Sequence, residues 1–357
     1  MADTETKYEQ PRVDEINGPE KLLVTGANGF IGRSLIDSLC RENYEILALV
    51  SSFQSRDELV LHLARSDSFQ EGEESTSGKR ATTPSVTILV ADITNRKELT
   101  RQFRTLNDEP LSVVHLAGLA HVGREEESKY HLVNTEGTLN VIKSLEEKVI
   151  RFIYLSSSLA AAAESNRAAS TSYGKSKLDA EIHLRDIADA KGIQLGILRP
   201  CNIYGTGMKG NLRTLIRLIR RGILPPLPNY RNRLSLVSDS DVVRAIQLQL
   251  KIESLKNKPY YITDGRIYST KEIETEIYNA LRIKIPKWKT PNVIIYLSIR
   301  ALGLLGHLPG VNHSISRRTY ENLVSDNLFS NEDAQADLGF SPTTDFYKEL
   351  RGIVEAV

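Results

Sequence analysis

Tyr173 and Lys177 stand four residues apart in Ser172–Lys177, SYGKSK, where a stretch begins that reads as a helix to about Lys191. Residues spaced this way share one helix face, so the phenol and the ammonium lie side by side. An ammonium beside a phenol favours the phenolate and lowers its pKa. Such a phenol can take the proton from a hydroxyl as its carbon is oxidised, or return it when a ketone is reduced. A second hydroxyl must hold the same oxygen. The run Ser156-Ser157-Ser158, closing the apolar stretch Arg151–Leu155, supplies it: Ser157 is the choice, with Ser156 and Ser158 as substitutes. A lone Tyr-x-x-x-Lys is commonly a surface pair, and this one gains weight from a second motif upstream.

That motif is Lys21–Ser34, KLLVTGANGFIGRS. An apolar run, Leu22–Val24, meets Gly26, Gly29 and Gly32 and passes into an amphipathic stretch, Phe30–Cys40. Strand, glycine turn and helix start in that order make a cradle for a pyrophosphate, because glycines let backbone approach the phosphates and unpaired N–H groups face the anion. A dinucleotide held there would bring a positive nicotinamide to Tyr173 and favour the phenolate further.

The remaining elements position these groups. Tyr44–Val50 reads as a second parallel strand, whose end in an NAD-preferring site usually carries an acid for the ribose. Here it continues Ser51-Ser52-Phe53 without one. With Arg33 and Arg56 nearby, that tilts the cofactor towards NADP, while both arginines equally suit a solvated surface. Strand three, Val86–Val90, ends in Ala91-Asp92-Ile93, where Asp92 either reaches an adenine amino group or caps a helix beginning near Asn95. Strand four, Ser112–Leu116, runs into Ala117-Gly118, small residues that let the chain pass close to a cofactor. A helix over Ser128–Lys148 contains Asn134. Strands five, Arg151–Leu155, and six, Ile193–Leu198, follow.

Alternation of strands and helices argues a parallel sheet. The expected fold class is α/β, a Rossmann-type doubly wound parallel sheet with a smaller C-terminal α/β substrate lobe. Residues 1–20 read as disordered, 21–205 as the dinucleotide-binding domain with a flexible insertion at 66–85, and 206–357 as mainly the substrate lobe. In that lobe helices are expected over Asn211–Arg221, Asp239–Leu250, Thr270–Leu281, Pro291–Leu305 and Asn331–Leu338, with a rigid turn at Leu224–Pro228 and a short strand at Tyr260–Thr263.

Composition bounds the function. A net charge of +1 over 357 residues gives no basic face for nucleic acid and no acidic tail. Two cysteines, Cys40 and Cys201, make no disulfide framework, and the polar N-terminal stretch lacks an apolar signal core, so a cytoplasmic protein is expected. Pro291–Gly306 is the most apolar stretch; Arg300 interrupts it and it is short for a span, so it reads as a core or interface helix rather than a membrane attachment. Seven scattered histidines show no ligand spacing, so no metal is expected, and His115 and His121 read as packing or cofactor-loop residues. Gly-Lys-Ser at Gly174–Ser176 lacks the upstream loop of a phosphate-binding ATPase and belongs to the Tyr/Lys motif.

TGANGFIG, Asp92-Ile93, HLAGLAHVG from His115, Asn134 with Gly137-Thr138, LSSS, YGKSK and LRPCNIYG together resemble the extended short-chain dehydrogenase/reductase superfamily, over about Leu22–Pro342. The closer likeness is to nucleotide-sugar epimerases and dehydratases of the UDP-glucose 4-epimerase kind. Tyr204–Ile246 resembles a subgroup often encoded with bacterial polysaccharide genes, containing 4-epimerases and 4-ketoreductases of UDP-N-acetylhexosamine derivatives. The resemblance implies that Gly26, Gly29 and Gly32 hold the pyrophosphate, Asp92 and Ile93 the adenine, and that Leu116, Ala117 and Gly118 pass beside the cofactor. Asn28, Phe30, Ile31, Arg33, Ser51, Asn134 and Pro200 complete that site. Tyr173 would be the acid/base, Lys177 would bind the nicotinamide ribose and tune Tyr173, and Ser157 would polarise the reacting oxygen, with Ser158 and Asn202 on the sugar. Asn211 and Leu212 would flank the uracil, and Arg233, or Arg231 in a shifted register, would meet the diphosphate. A homodimer is implied, through the helix of Tyr173 and its neighbour near 128–148.

Ser157 and Tyr173 lie only sixteen apart, closer than in the family, and Ala160–Ala163 replaces its usual Tyr-Gly. The substrate-side loop is therefore expected to be truncated, which opens the sugar pocket or moves the serine. Three functions stand on these residues: a UDP-sugar 4-epimerase recycling its dinucleotide, an NADPH-dependent reductase of a 4-keto-6-deoxy UDP-sugar, and a non-catalytic protein that senses the dinucleotide.

Overall fold

The computed structural model describes residues 20–66, 85–120, 127–165, 170–297 and 325–357. The N-terminal segment, most of the insertion and His121 lie outside the described residues. Along the first half of the chain run β1 (Glu20–Thr25), α1 (Phe30–Leu39), β2 (Tyr44–Val50), α2 (Phe53–Leu63), β3 (Ser85–Val90), α3 (Arg96–Phe103) and β4 (Leu111–His115). A helical run then passes from α4 (Ser128–Tyr130) through a π-helical turn, His131–Gly137, into α5 (Thr138–Ser144). After β5 (Val149–Leu155) come α6 (Leu159–Glu164), α7 (Ser172–Lys191), β6 (Gln194–Pro200) and β7 (Asn202–Tyr204). The rest comprises α8 (Asn211–Arg220), β8 (Leu234–Ser238), α9 (Asp239–Lys251), β9 (Pro259–Ile262), β10 (Ile267–Tyr268), α10 (Thr270–Ala280), α11 (Glu332–Leu338) and α12 (Phe346–Ala356).

Seven parallel strands form one sheet in the order β3-β2-β1-β4-β5-β6-β9. Helices cover both faces, which is why the strands read as continuous apolar runs rather than alternating ones. Leu22 and Val24 enter the core beneath α1 and α9, while Leu23, between them, enters the core beneath α5 and α7. β9 and α9 thus bring the chain back to the large sheet after residue 205. A second sheet, β10-β8-β7, lies under α8, α10 and α12 around Tyr204, Leu236, Tyr268 and Phe346. Phe30 packs against both cores, and the Ser34 hydroxyl donates to Asp239 Oδ2 at 3.0 Å, joining α1 to the start of α9.

Three local expectations change. The helix expected over Ser128–Lys148 is broken by the π turn, which rotates Asn134 into the interior, fully buried. The alanines at 160–163 form α6 rather than a loop, as the strongest helix former dictates. Where a core or interface helix is expected at Pro291–Leu305, residues 292–297 are helical but Val293, Ile294 and Leu297 face outward; the remainder lies outside the described residues.

α7 matches its expected bounds because its ends are chemically marked. Thr171 accepts from the Gly174 amide at 2.8 Å, and Gly192 closes the helix in the left-handed region at φ 68°. Two glycines give opposite expectations. A Cβ on Gly32 would lie 2.3 Å from the Gly26 carbonyl oxygen, so Gly32→Ala is expected to lower unfolding free energy by about 1–3 kcal/mol. Gly352, inside α12 with nothing within 4 Å, should give a gain of about 0.5–1 kcal/mol as Gly352→Ala. Urea titration of both variants checks the contrast.

Candidate active site

The glycine turn leads from β1 to α1. Gly26 takes φ 68°, and a Cβ there would meet the Ala117 backbone nitrogen at 2.7 Å, so only glycine lets the β1 turn approach the β4 turn this closely. Gly29 donates to the Gly26 carbonyl at 2.8 Å and caps α1 without any side-chain bond, leaving the helix's first amides to an anion. This cradle, which any Cβ would fill, fits the pyrophosphate of a dinucleotide.

Around it the chain is held by buried polar contacts. The Leu116 amide donates to the Thr25 carbonyl at 3.2 Å, and the Ala117 amide to the Thr25 hydroxyl at 3.2 Å. Asn134 accepts from the Leu119 amide at 2.7 Å and donates to the Leu119 carbonyl at 3.0 Å and the Ser176 hydroxyl at 3.1 Å. One amide thereby ties the 117–119 loop to α7. A Cβ on Gly118 would lie 2.9 Å from Asn134 Oδ1 and 3.3 Å from Lys177 Nζ, so this glycine brings the loop down onto the lysine. His115 is a packing residue: bonded to Thr25 and Thr138 and stacked near Phe152 and Tyr154, its imidazole is pushed by burial down to about 3 and stays neutral.

At the carboxyl end of β5 the three serines part. Ser156 donates to the buried Glu181, Ser158 acts on the Cys201 thiol, and Ser157 is the one whose hydroxyl acts on the Tyr173 phenol, drawing its pKa down. Lys177 Nζ donates to the Leu155 carbonyl at 2.9 Å and lies 4.7 Å from the Tyr154 ring centroid. Burial pushes the Tyr173 phenol up to about 12, against the Ser157 hydrogen bond that pulls it down. Where a lowering by Lys177 is expected, desolvation governs the phenol, with Tyr130 adding to the rise, and the same burial brings the lysine down to about 8 despite Glu181 nearby.

The other expected residues fall out as follows. Asn28 accepts from Arg33 at 2.6 Å and donates to Glu58 at 2.8 Å, and Arg33 pairs with Glu58 at 3.5 Å. Ser51, at the end of β2, is exposed and Ile31 is buried. Arg56 lies over Phe53 and bonds Asp57. Asp92 binds the amide and hydroxyl of Thr94, both at 2.8 Å, while Asn95 caps α3, so the capping alternative belongs to Asn95. Ile93 packs beneath Gly137, and the Pro200 carbonyl accepts from the Ser158 amide at 3.0 Å. Asn202 and Asn211 are exposed and Leu212 leans on the smaller core. Arg233 is held by Asp326 through two bonds, at 2.9 and 2.7 Å, and Arg231 is exposed. The cradle, Gly118, Asn134, Ser157, Tyr173 and Lys177 are therefore brought together, and Arg233 is engaged elsewhere.

The sequence reading missed three participants. Tyr130 sets its ring 5.6 Å from that of Tyr173. Glu181, one helical turn past Lys177, was marked by that spacing. Glu58, on α2, sets a carboxylate against Asn28 of the glycine turn.

This fold and site define an NAD(P)-using enzyme of the extended short-chain dehydrogenase/reductase type. The chain belongs to the NAD-dependent epimerase/dehydratase family, whose model matches residues 22–262. It is 29% identical over 318 residues to a UDP-glucose 4-epimerase of Vibrio cholerae, covering 84% of this chain and 86% of that one. An N-acetyl-α-D-glucosaminyl-diphospho-ditrans,octacis-undecaprenol 4-epimerase of Escherichia coli O157:H7 is 26% identical over 199 residues, 53% of this chain and 60% of its own. The fold is shared with the Thermotoga maritima UDP-glucose 4-epimerase crystallised with UDP-glucose, at TM-score 0.65 and 19% identity over 94% of this chain and 98% of that one.

The buried Lys177 leaves a mark on stability. Its folded pKa, about 8, lies below the unfolded value near 10.4, so below pH 8 the fold carries a charge that burial opposes. Between pH 8 and about 10.4 the unfolded chain holds the extra proton, and stability rises with pH. Lys177→Met is expected to be the more stable protein below pH 8, its advantage shrinking by about 3 kcal/mol across that window. Denaturant titrations of both proteins at each pH test this; parallel curves would contradict it.

Proposed function

We propose that the chain is a UDP-sugar 4-epimerase, acting on a UDP-N-acetylhexosamine or UDP-glucose and keeping its dinucleotide through each turnover. One observation carries the reading: the Ser157 hydroxyl acts on the Tyr173 phenol, with Lys177 one turn away, under the 117–119 loop that packs against the glycine cradle. When bound, the dinucleotide supplies a hydride acceptor and donor at its nicotinamide ring.

The chain's part is the proton and the geometry. Tyr173, as its phenolate, would take the proton from the C4 hydroxyl of the sugar as hydride leaves C4, and as the phenol return it to the same oxygen when hydride comes back, with Ser157 Oγ holding that oxygen by a hydrogen bond. Lys177 Nζ, a triple donor at the Gly118 loop, serves the ribose hydroxyls and adds positive charge beside the phenol. A phenol held at about 12 by burial needs that charge before it can act as a base near neutral pH. Glu58, close to Asn28 and Arg33, places a carboxylate on the side where a 2′-phosphate would sit and supports NAD over NADP.

Asn211 and Leu212 would flank the uracil, and Arg233 would exchange Asp326 for the diphosphate. A dimer through α7 and the 128–144 run is supported by Leu132 and Ile182, which stay exposed on those helices.

Conversion of UDP-N-acetylglucosamine or UDP-glucose to its 4-epimer, followed by chromatography, tests the reading. Tyr173→Phe is expected to fold as the wild type and lose turnover by about 10²–10⁴-fold. Turnover equal to wild type in that variant, or dinucleotide binding with no turnover of either sugar, would overturn it.

A further inference from the structure

Past α10 the chain changes character. Between Glu276 and Glu321 the sequence has no carboxylate side chain, although Asp and Glu number 45 overall and the net charge is only +1. Within that span Arg282, Lys284, Lys287 and Lys289 are exposed, and so are large apolar side chains between and after them: Ile283 and Ile285 at 38%, Trp288 at 59%, Val293 at 65%, Ile294 at 52% and Leu297 at 56%. This is not a loose strap. Ile295, on the opposite side of the 292–297 turn, is buried against Leu227 and Tyr230, with Leu215 and Leu224 beside them. The Thr290 amide donates to the Pro226 carbonyl at 3.2 Å, and the Leu227 amide in turn donates to buried Glu274 of α10 at 2.7 Å.

Exposed apolar side chains gathered on a fixed floor mark an interaction surface, and the charge around them selects the partner. A second copy of this chain meeting the face across a two-fold axis would set four basic groups against four more with no acid of the segment itself to pair them. A lipid surface meets every term: phosphate headgroups take the lysines and arginine, the indole suits the headgroup depth, and the aliphatic side chains enter the acyl boundary. Among the described residues no helix is long and apolar enough to cross a membrane, so the attachment is one of lying on the surface. We propose that Arg282–Leu297 docks the protein on an anionic bilayer.

Trp288 is the only tryptophan in the chain, so its fluorescence reports on this face alone. Vesicles of phosphatidylcholine with about one-third phosphatidylglycerol are expected to shift its emission to shorter wavelength, and brominated acyl chains to quench it. High salt should weaken both effects. The full chain carrying Lys284→Glu, Lys287→Glu and Lys289→Glu should bind at least tenfold more weakly, since each lysine is worth about fivefold at such a surface. Its melting temperature should match the wild type's. Emission unmoved by vesicles, or charge-reversed protein binding as tightly as wild type, would overturn the proposal. So would a blue shift that grows with protein concentration without lipid, which would assign the face to a second copy. None of these readouts depends on which sugar the enzyme turns over.

Discussion

One buried ion pair fixes the working geometry. Arg199 of β6 and Glu181 of α7 are both almost fully buried and meet through two bonds, at 2.9 and 2.7 Å. The guanidinium's remaining donors reach Glu164 of α6 at 2.7 Å and the Tyr261 hydroxyl of β9 at 3.0 Å, and Glu181 also takes the Ser156 hydroxyl. A planar fork with five donors can tie β6 to three other elements at once, two of the bonds going side by side to one carboxylate. Removing one partner of such a pair typically costs about 3–5 kcal/mol, because the other charge is left buried and alone. Its role in the site is distance: it sets α7, which carries Tyr173 and Lys177, against the strand end that carries Ser157.

A second polar layer does the same for the cofactor side. Thr25, His115, Thr138, Asn134 and Ser176 form a chain of satisfied buried bonds from β1 to α7. Because each donor has its acceptor, the 117–119 loop holds one position rather than several. Gly26, Gly32 and Gly118 supply the close approaches this demands, and the reactive groups inherit their placement from backbone contacts rather than from one another.

The sequence made the frame legible where periodicity and end signals agreed. α7, marked by Thr171 and Gly192, and β2, apolar from Ile46 to Val50, match their expected bounds. Elements of weak pattern were not legible: α2 buries only Leu59 and Leu63 and shows Phe53, Val60 and Leu61 to solvent. β8, LSLVS, is too short for alternation to declare it, yet every residue in it is buried. α12 carried a readable signal in Phe346, Leu350, Ile353 and Val354, at helical spacing. In the site, spacing singled out Tyr173 and Lys177, but the parting of the three serines depends on Glu181 and Cys201, which only the fold brings alongside. Glu58 likewise belongs to the site through the packing of α2, not through its place after β2. The direction of the Tyr173 shift was illegible because burial, its largest cause, is a property of the fold.

Leu215 of α8 supports the outer face at Arg282–Leu297, and Asn211 and Leu212, one turn earlier on the same helix, lie at the proposed nucleotide end of the inner site. The inner site is proposed to hold its cofactor and reuse it. The most direct test is to denature the purified full chain and identify the released dinucleotide by absorbance and mass. An epimerase that reuses its cofactor should carry close to one NAD per chain, retained through purification. A protein that carries none and takes up neither NAD nor NADP would contradict it.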